Sequence, residues 1–252
     1  MSLFEELTEV TSADKKIVKS FKTKDSLSGV IFDSKGGEFF MHKEIKDRLL
    51  DVADGFIEFL GIDFFIHDIV ITGSLANYNW SDYSDVDLHI LIDFKETKYD
   101  LDILKEFFDS KERVWNQKHN IKIKGYDVEI YVQDIEQPHV SSGVYSVLHD
   151  KWIITPEKSN PKIDDRKIIE KGDEYAKQID DLISKFKSNE DVTKDTNSLY
   201  KKIKTFRQSG LESGGEYSYE NLTFKLLRRN GYIGKLINLK TKVIDKKLSI
   251  TQ

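Results

Sequence analysis

Two short stretches of this chain have residue types and a spacing that could do chemistry: Ile69-Val70-Ile71-Thr72-Gly73-Ser74 and, after the spacer Leu75 to Ser84, Asp85-Val86-Asp87-Leu88-His89-Ile90. Carboxylates at positions i and i+2 of a strand point the same way, close enough to share or bracket divalent cations. A strand that runs into Gly-Ser makes a turn whose amides and hydroxyl can approach a phosphate, because glycine places no side chain in the way. The pair reads as a phosphate cradle beside a metal clamp. There is no cysteine, so thiolate ligands, thiol nucleophiles and disulfides are excluded, and a metal would have to sit on carboxylates, histidines or phosphates.

These residues must be positioned by the elements around them. Ile45, Leu49, Val52, Phe56 and Leu60 recur at helical spacing, so a helix is expected from His42 to Leu60, ending at Gly61. Strands are expected at Ile66 to Thr72 and at Val86 to Ile92. The second would put Val86, Leu88, Ile90 and Ile92 on one face and Asp87 and His89 on the other. Leu101, Leu104, Phe108 and Trp115 mark a further helix, and Tyr126 to Val132 a third strand, with Asp127, Glu129 and Tyr131 facing one way. Residues 1–40 are weakly patterned, with one candidate strand at Leu27 to Phe32 before the turn-like cluster Asp33 to Gly37. Past Pro138 the pattern becomes helical, with stripes at Ile168, Tyr175, Ile179, Leu182 and Phe186 and at Ile233, Leu236, Lys240, Val243 and Ile244. Helix, strand, strand, helix, strand is an α+β order. It predicts a catalytic domain over residues 1–155, with its core at 40–135, and a helical, basic subdomain over 156–252, with the active cleft between them.

Taken together, Thr72-Gly73-Ser74, the spacer, and Ser84-Asp85-Val86-Asp87-Leu88 resemble the nucleotidyltransferase superfamily of DNA polymerase β, in its minimal form. Weaker echoes of phage-encoded members lie in Gly214-Gly215-Glu216-Tyr217-Ser218 and Leu226-Leu227-Arg228-Arg229-Asn230-Gly231. The resemblance implies a mixed sheet with flanking helices and a third carboxylate on a later strand, which falls in Tyr126-Asp127-Val128-Glu129-Ile130. Glu129 is the choice, with Asp127 on the same side as the alternative. It further implies that Asp85, Asp87 and Glu129 hold two Mg²⁺ ions, with Mn²⁺ as a substitute. Gly73, Ser74 and Ser84 would bind the triphosphate of an NTP, with ATP the expected one. The hydroxyl-rich stretch Pro138 to Ser146 reads either as a segment returning over the nucleotide, with Ser141, Ser142 and Tyr145 touching it, or as a capped turn. An acceptor hydroxyl would receive the nucleoside monophosphate and pyrophosphate would leave. The Asp-x-Asp signatures of glycosyltransferases and aspartyl phosphatases fit less well. The phosphatase form places a small hydroxyl or branched residue where this chain has His89, and neither explains the strand running into Gly-Ser.

The formal net charge of −5 is unevenly distributed: residues 1–150 carry 17 basic and 29 acidic groups, and residues 151–252 carry 22 and 15. An acidic site that needs cations beside a basic surface fits that asymmetry, and Lys201, Lys202, Lys204, Arg207, Arg228 and Arg229 are candidates for triphosphate or RNA contacts. Overall negative charge argues for a small or single-stranded acceptor over a long duplex. The acidic start, Met1 to Val10, lacks a leader pattern, and no apolar run approaches membrane-spanning length, so a cytoplasmic protein is expected. Two alternatives remain: a non-catalytic nucleotide or nucleic-acid binding module that keeps the fold, and an interaction protein whose acidic strands are only a solvated face. His89 reads as a core histidine, and Asn77 in the spacer as either a ligand contact or loop packing.

Overall fold

The computed structural model describes residues 13–139 and 141–250. The acidic start Met1 to Val10 and Val140 of the hydroxyl-rich stretch lie outside the described residues. Residues 23–160 gather into one compact unit, and residues 13–22 with 161–250 into another.

The first unit opens with a hairpin, β1 (Phe32–Lys35) and β2 (Glu38–Met41), closed by Gly36-Gly37 at φ +64° and +87°. Two successive positive φ values are what a tight two-residue hairpin loop needs. The strand expected at Leu27 to Phe32 does not form. The chain there turns instead, with the amides of Ile31 and Phe32 both donating to the Ser28 carbonyl, and the turns deliver Leu27 and Ile31 into the core.

Helix α2 (Lys43–Leu60) buries Ile45, Leu49, Val52, Phe56 and Leu60, the residues whose spacing marked it. It packs in one core with α3 (Leu101–Lys118) and with Val86, Leu88, Ile90 and Ile92 of strand β4 (Val86–Ile92). Each such aliphatic side chain contributes about 1.5–3 kcal/mol on full burial. The remaining strands are β3 (Asp68–Thr72), β5 (Lys122–Ile123), β6 (Tyr126–Asp134), β7 (Val144–Ser146) and β8 (Lys151–Ile154), in the order β5-β6-β4-β3-β7-β8. Only β4 and β6 run parallel, and α3 makes their crossover.

Among the described residues, β6 has no strand on its outer side beyond its pairing with β5, and α3 reaches its backbone there with side chains. Asn116 Nδ2 donates to the Ile130 carbonyl at 3.0 Å and Asn116 Oδ1 accepts from the Ile130 amide at 3.1 Å; one turn earlier, Glu112 Oε1 accepts from the Val132 amide at 2.6 Å.

The second unit is helical. Residues 13–19 (α1) put Ile17 and Val18 against Ile168 of α4 (Asp165–Lys187) and Leu222 and Leu226 of α6 (Tyr219–Arg229). Tyr175, Ile179 and Leu182 of α4 form a core with α5 (Thr193–Gly214) and α7 (Tyr232–Leu248). On α7 the buried stripe is Leu236, Leu239 and Val243, while Ile244 is exposed, so it lies rotated from the one read off the sequence. Among the described residues no helix is long and apolar enough to cross a membrane.

Candidate active site

The site is built by the ends of three strands. β3 pairs antiparallel with β4 so that Thr72 faces Asp87, and β4 pairs in parallel with β6 so that Asp87 faces Glu129. Residues opposite one another in neighbouring strands share a face, so register alone sets Asp87 and Glu129 side by side. Asp85 joins them from just before β4. Each of the three half-buried carboxylates offers an oxygen, and these oxygens lie within 4.8 Å of one another. Three hard oxygen donors at this separation suit Mg²⁺ or Mn²⁺ and are poorly matched to softer metals. Asp127 takes another course, exposed and ion-paired with Lys122 across the β5–β6 ladder.

Gly73 follows β3 at φ +70° and ψ −159°, a conformation open essentially to glycine alone. Asp87 lies directly over it, and a Cβ at position 73 would fall 1.8 Å from Asp87 Oδ2. Ser74 then starts a single 3-10 turn to Ala76 and is half-buried. Its hydroxyl donates to Ser84 Oγ at 2.8 Å, and that oxygen also accepts from the Ser81 amide at 3.0 Å. Ser84 is only 8% exposed. It is one of the residues expected to touch nucleotide and is hydrogen-bonded to another, Ser74.

Asn77, 3% exposed, ties the turn to the stretch after β6. Its Nδ2 donates to the Gly73 carbonyl at 2.7 Å and to Ser141 Oγ at 2.9 Å, while its Oδ1 accepts from Ser142 Oγ at 2.8 Å. Ser142 is exposed and so stands beside the glycine turn. Gly143 is pressed so closely on the same turn that a Cβ there would meet the Ala76 carbonyl at 2.1 Å.

Tyr145 departs from the sequence reading. The hydroxyl-rich stretch does not fold over as a lid at this point; it becomes β7, which pairs with β3. Tyr145 is fully buried, edge-on to Phe32 and Trp152, with its hydroxyl donating to Asp150 Oδ1 at 2.6 Å. Its cross-strand neighbour is Ile71, which alternates with Thr72, so Tyr145 lies on the face of the sheet away from Asp87.

One of the acids is held by a neighbour on its own strand. Tyr131, two positions after Glu129 on the same face, donates its hydroxyl to Glu129 Oε2 at 2.5 Å; burial and the adjacent Glu129 push the phenol's ionisation upward. The period-2 spacing was the available signal. Thr72 Oγ1 lies 3.2 Å from His89 Nε2. Burial pushes the His89 imidazole down to about 4, partly opposed by a hydrogen bond with Gln133, so the ring is neutral near pH 7. A further group, His67, Asp93 and Glu96, brings one donor atom from each residue within 4.8 Å of the others at the opposite end of β4. Several candidate basic residues of the helical unit stack on its own rings: Lys202 over Tyr175, Arg207 over Phe224 and Arg229 over Phe21.

No protein family matches this sequence, and no curated protein does. Among solved structures, a STING-associated CdnE c-di-GMP synthase from Capnocytophaga granulosa is similar at 14% identity and a TM-score of 0.23, covering 82% of this chain and 84% of that one. A likeness at that level carries no inference about activity.

Proposed function

We propose that this protein is a metal-dependent nucleotidyltransferase. The observation that carries the reading is the convergence of Asp85, Asp87 and Glu129 beside a turn whose glycine leaves the Asp87 carboxylate the space a side chain would fill. Asp85 and Asp87 would hold two divalent cations and Glu129 the one nearer the acceptor. Bound there, such ions neutralise phosphate charge and lower the pKa of an attacking hydroxyl. The Gly73 amide and Ser74 hydroxyl would hold the β- and γ-phosphates of an NTP, with ATP the expected donor. Ser142 would reach the same phosphates from the far side of the turn. Tyr131 fixes the rotamer of Glu129, and Ser84 that of Ser74. The acceptor oxygen then forms its bond to the α-phosphorus as the bond to the bridging oxygen breaks. Pyrophosphate leaves, and the acceptor's proton passes to Glu129 or to water.

The test is incubation with each labelled NTP, Mg²⁺ and pools of acceptors, RNA included. Label transfer or pyrophosphate release that disappears in Asp85→Ala/Asp87→Ala is expected. Turnover unaffected by the double substitution would exclude this site. Stabilisation by Mg²⁺ and NTP without turnover in any pool would favour a nucleotide-binding module.

A further inference from the structure

On the face that carries Asp87 and Glu129, the strands lead away from the carboxylates into a cavity of about 670 Å³. Thr72, Asp87 and Glu129 form one cross-strand row, and Val70, His89 and Tyr131 the next, about 7 Å further along. His89, Tyr131 and Gln133 wall the cavity, and Tyr131 is the residue bonded to Glu129. The opposing wall comes from the first turns of α3, with Leu101, Lys105 and Phe108, and from the segment that follows β6.

We propose that this cavity is the acceptor pocket, and that it takes a compact, hydroxyl-bearing small molecule of neutral or positive charge in preference to a nucleic-acid end. The proposal rests on the nucleotidyl-transfer reading above and adds to it the class of acceptor.

Three observations support it. Tyr131, which lines the cavity, donates to Glu129, the carboxylate proposed for the acceptor side of the metal pair, so a molecule seated in the cavity would lie on that side of the site. The volume of the cavity falls in the range of small-molecule pockets, about 300–1,000 Å³, and α3 forms one of its walls. Its charge is the third. Asp102, Asp109, Asp134 and Glu136 line it against Lys105, and Glu136 is itself paired with Lys95. A phosphate entering this field is repelled and an ammonium group is drawn in. Phe94, Phe108 and Tyr131 offer flat apolar surface to a carbon skeleton, while Gln133 and His139 supply hydrogen-bonding groups for hydroxyls.

The test separates binding from transfer. Glucosamine and serinol (cationic), glucose (neutral), and glucose 6-phosphate and a short oligoribonucleotide (anionic) are titrated without nucleotide by ligand-observed NMR. The same compounds are then offered with labelled ATP and Mg²⁺. The cationic and neutral compounds are expected to bind and to take label, and the anionic ones to do neither. Asp102→Asn/Asp109→Asn, which neutralises two exposed side chains, should weaken the cationic compounds about fivefold through KM, with kcat within about twofold. Leu101→Trp, which fills the mouth, should exclude both cationic and neutral compounds while the thermal shift produced by Mg²⁺ and ATP persists. Absence of binding by the cationic and neutral compounds overturns the proposal, as does equal binding of glucose 6-phosphate, or label on RNA that is indifferent to Leu101→Trp. Binding that follows the variants with no label moving in any arm retains the pocket and overturns the transfer reading instead.

Discussion

Gly73 and Asp87 hold their positions as a pair: the carboxylate of one occupies the space in which the other would carry a side chain, 1.8 Å from where a Cβ would be. Gly73→Ala must therefore either expel Asp87 from the cluster or twist the end of β3. The φ of +70° adds strain for any side chain, and a cost of about 1–3 kcal/mol is expected. Urea denaturation should register that loss. A Mg²⁺ titration followed by thermal melting should show the metal response abolished as well, which a purely conformational penalty would leave in place.

Glu129→Gln separates electrostatics from packing. Three carboxylates with oxygens within 4.8 Å repel one another when no cation is bound. Removing one charge should raise the melting temperature of the chelator-treated protein by about 2–4 °C while reducing the stabilisation that Mg²⁺ confers. A fall in both quantities would contradict the assignment of Glu129 to the cluster.

Tyr131→Phe removes one hydroxyl and little volume. If that hydroxyl positions Glu129, Mn²⁺ affinity measured by calorimetry should drop about tenfold, with far-ultraviolet circular dichroism unchanged. Unaltered affinity would reduce Tyr131 to a packing residue.

Glu112 gives the protein a pH dependence of defined sign. Burial raises its carboxyl to about 7 despite the hydrogen bond from the Val132 amide. The folded state therefore retains a proton between about pH 4.5 and 7 that the unfolded chain releases. Its contribution is fully present below 4.5 and is lost as pH rises through about 7. Glu112→Gln keeps an acceptor for Val132 without the charge. Relative to the parent it should gain on the order of 2 kcal/mol at pH 8 and little at pH 4, read from denaturation curves at both values. A difference that does not vary with pH would dismiss this titration.

Asn116→Ala leaves both backbone groups of Ile130 without the side chain that serves them. Two half-buried groups losing their partners should cost about 2–4 kcal/mol, with hydrogen exchange accelerated first at the amides of Ile130 and Val132.

The elements that announce themselves locally were legible in the sequence. β4 alternates from Val86 to Ile90 before its end is buried on both faces, and its bounds are those expected; α2 buries the five residues whose spacing marked it. Asp85 and Asp87 could be anticipated as neighbours from i, i+2 geometry, whereas Glu129, on a strand distant in the chain, was expected only from the family resemblance. What escaped depends on partners distant in the chain. Val144–Ser146 is too short to show a period, and it becomes a strand because β3 lies beside it, which turns Tyr145 inward. Ser84 and Asn77 look alike as polar loop residues, and only the folded turn shows both directed at its own backbone or hydroxyls. Polar residues on a helix read as a solvated face, so Glu112 and Asn116 gave no sign of serving β6.

That service by α3 has a consequence for solubility. A sheet margin with open amides and carbonyls is a template on which another chain can add a strand, the usual beginning of ordered aggregation. At Ile130 and Val132 the hydrogen-bonding positions are already taken by side chains of a helix, which cannot be extended by a further strand as a ladder can. The protein thereby keeps the parallel strand that carries Glu129 from recruiting a neighbour. At the opposite margin, β8 exposes Ile153 and Ile154 at 45% and 38%.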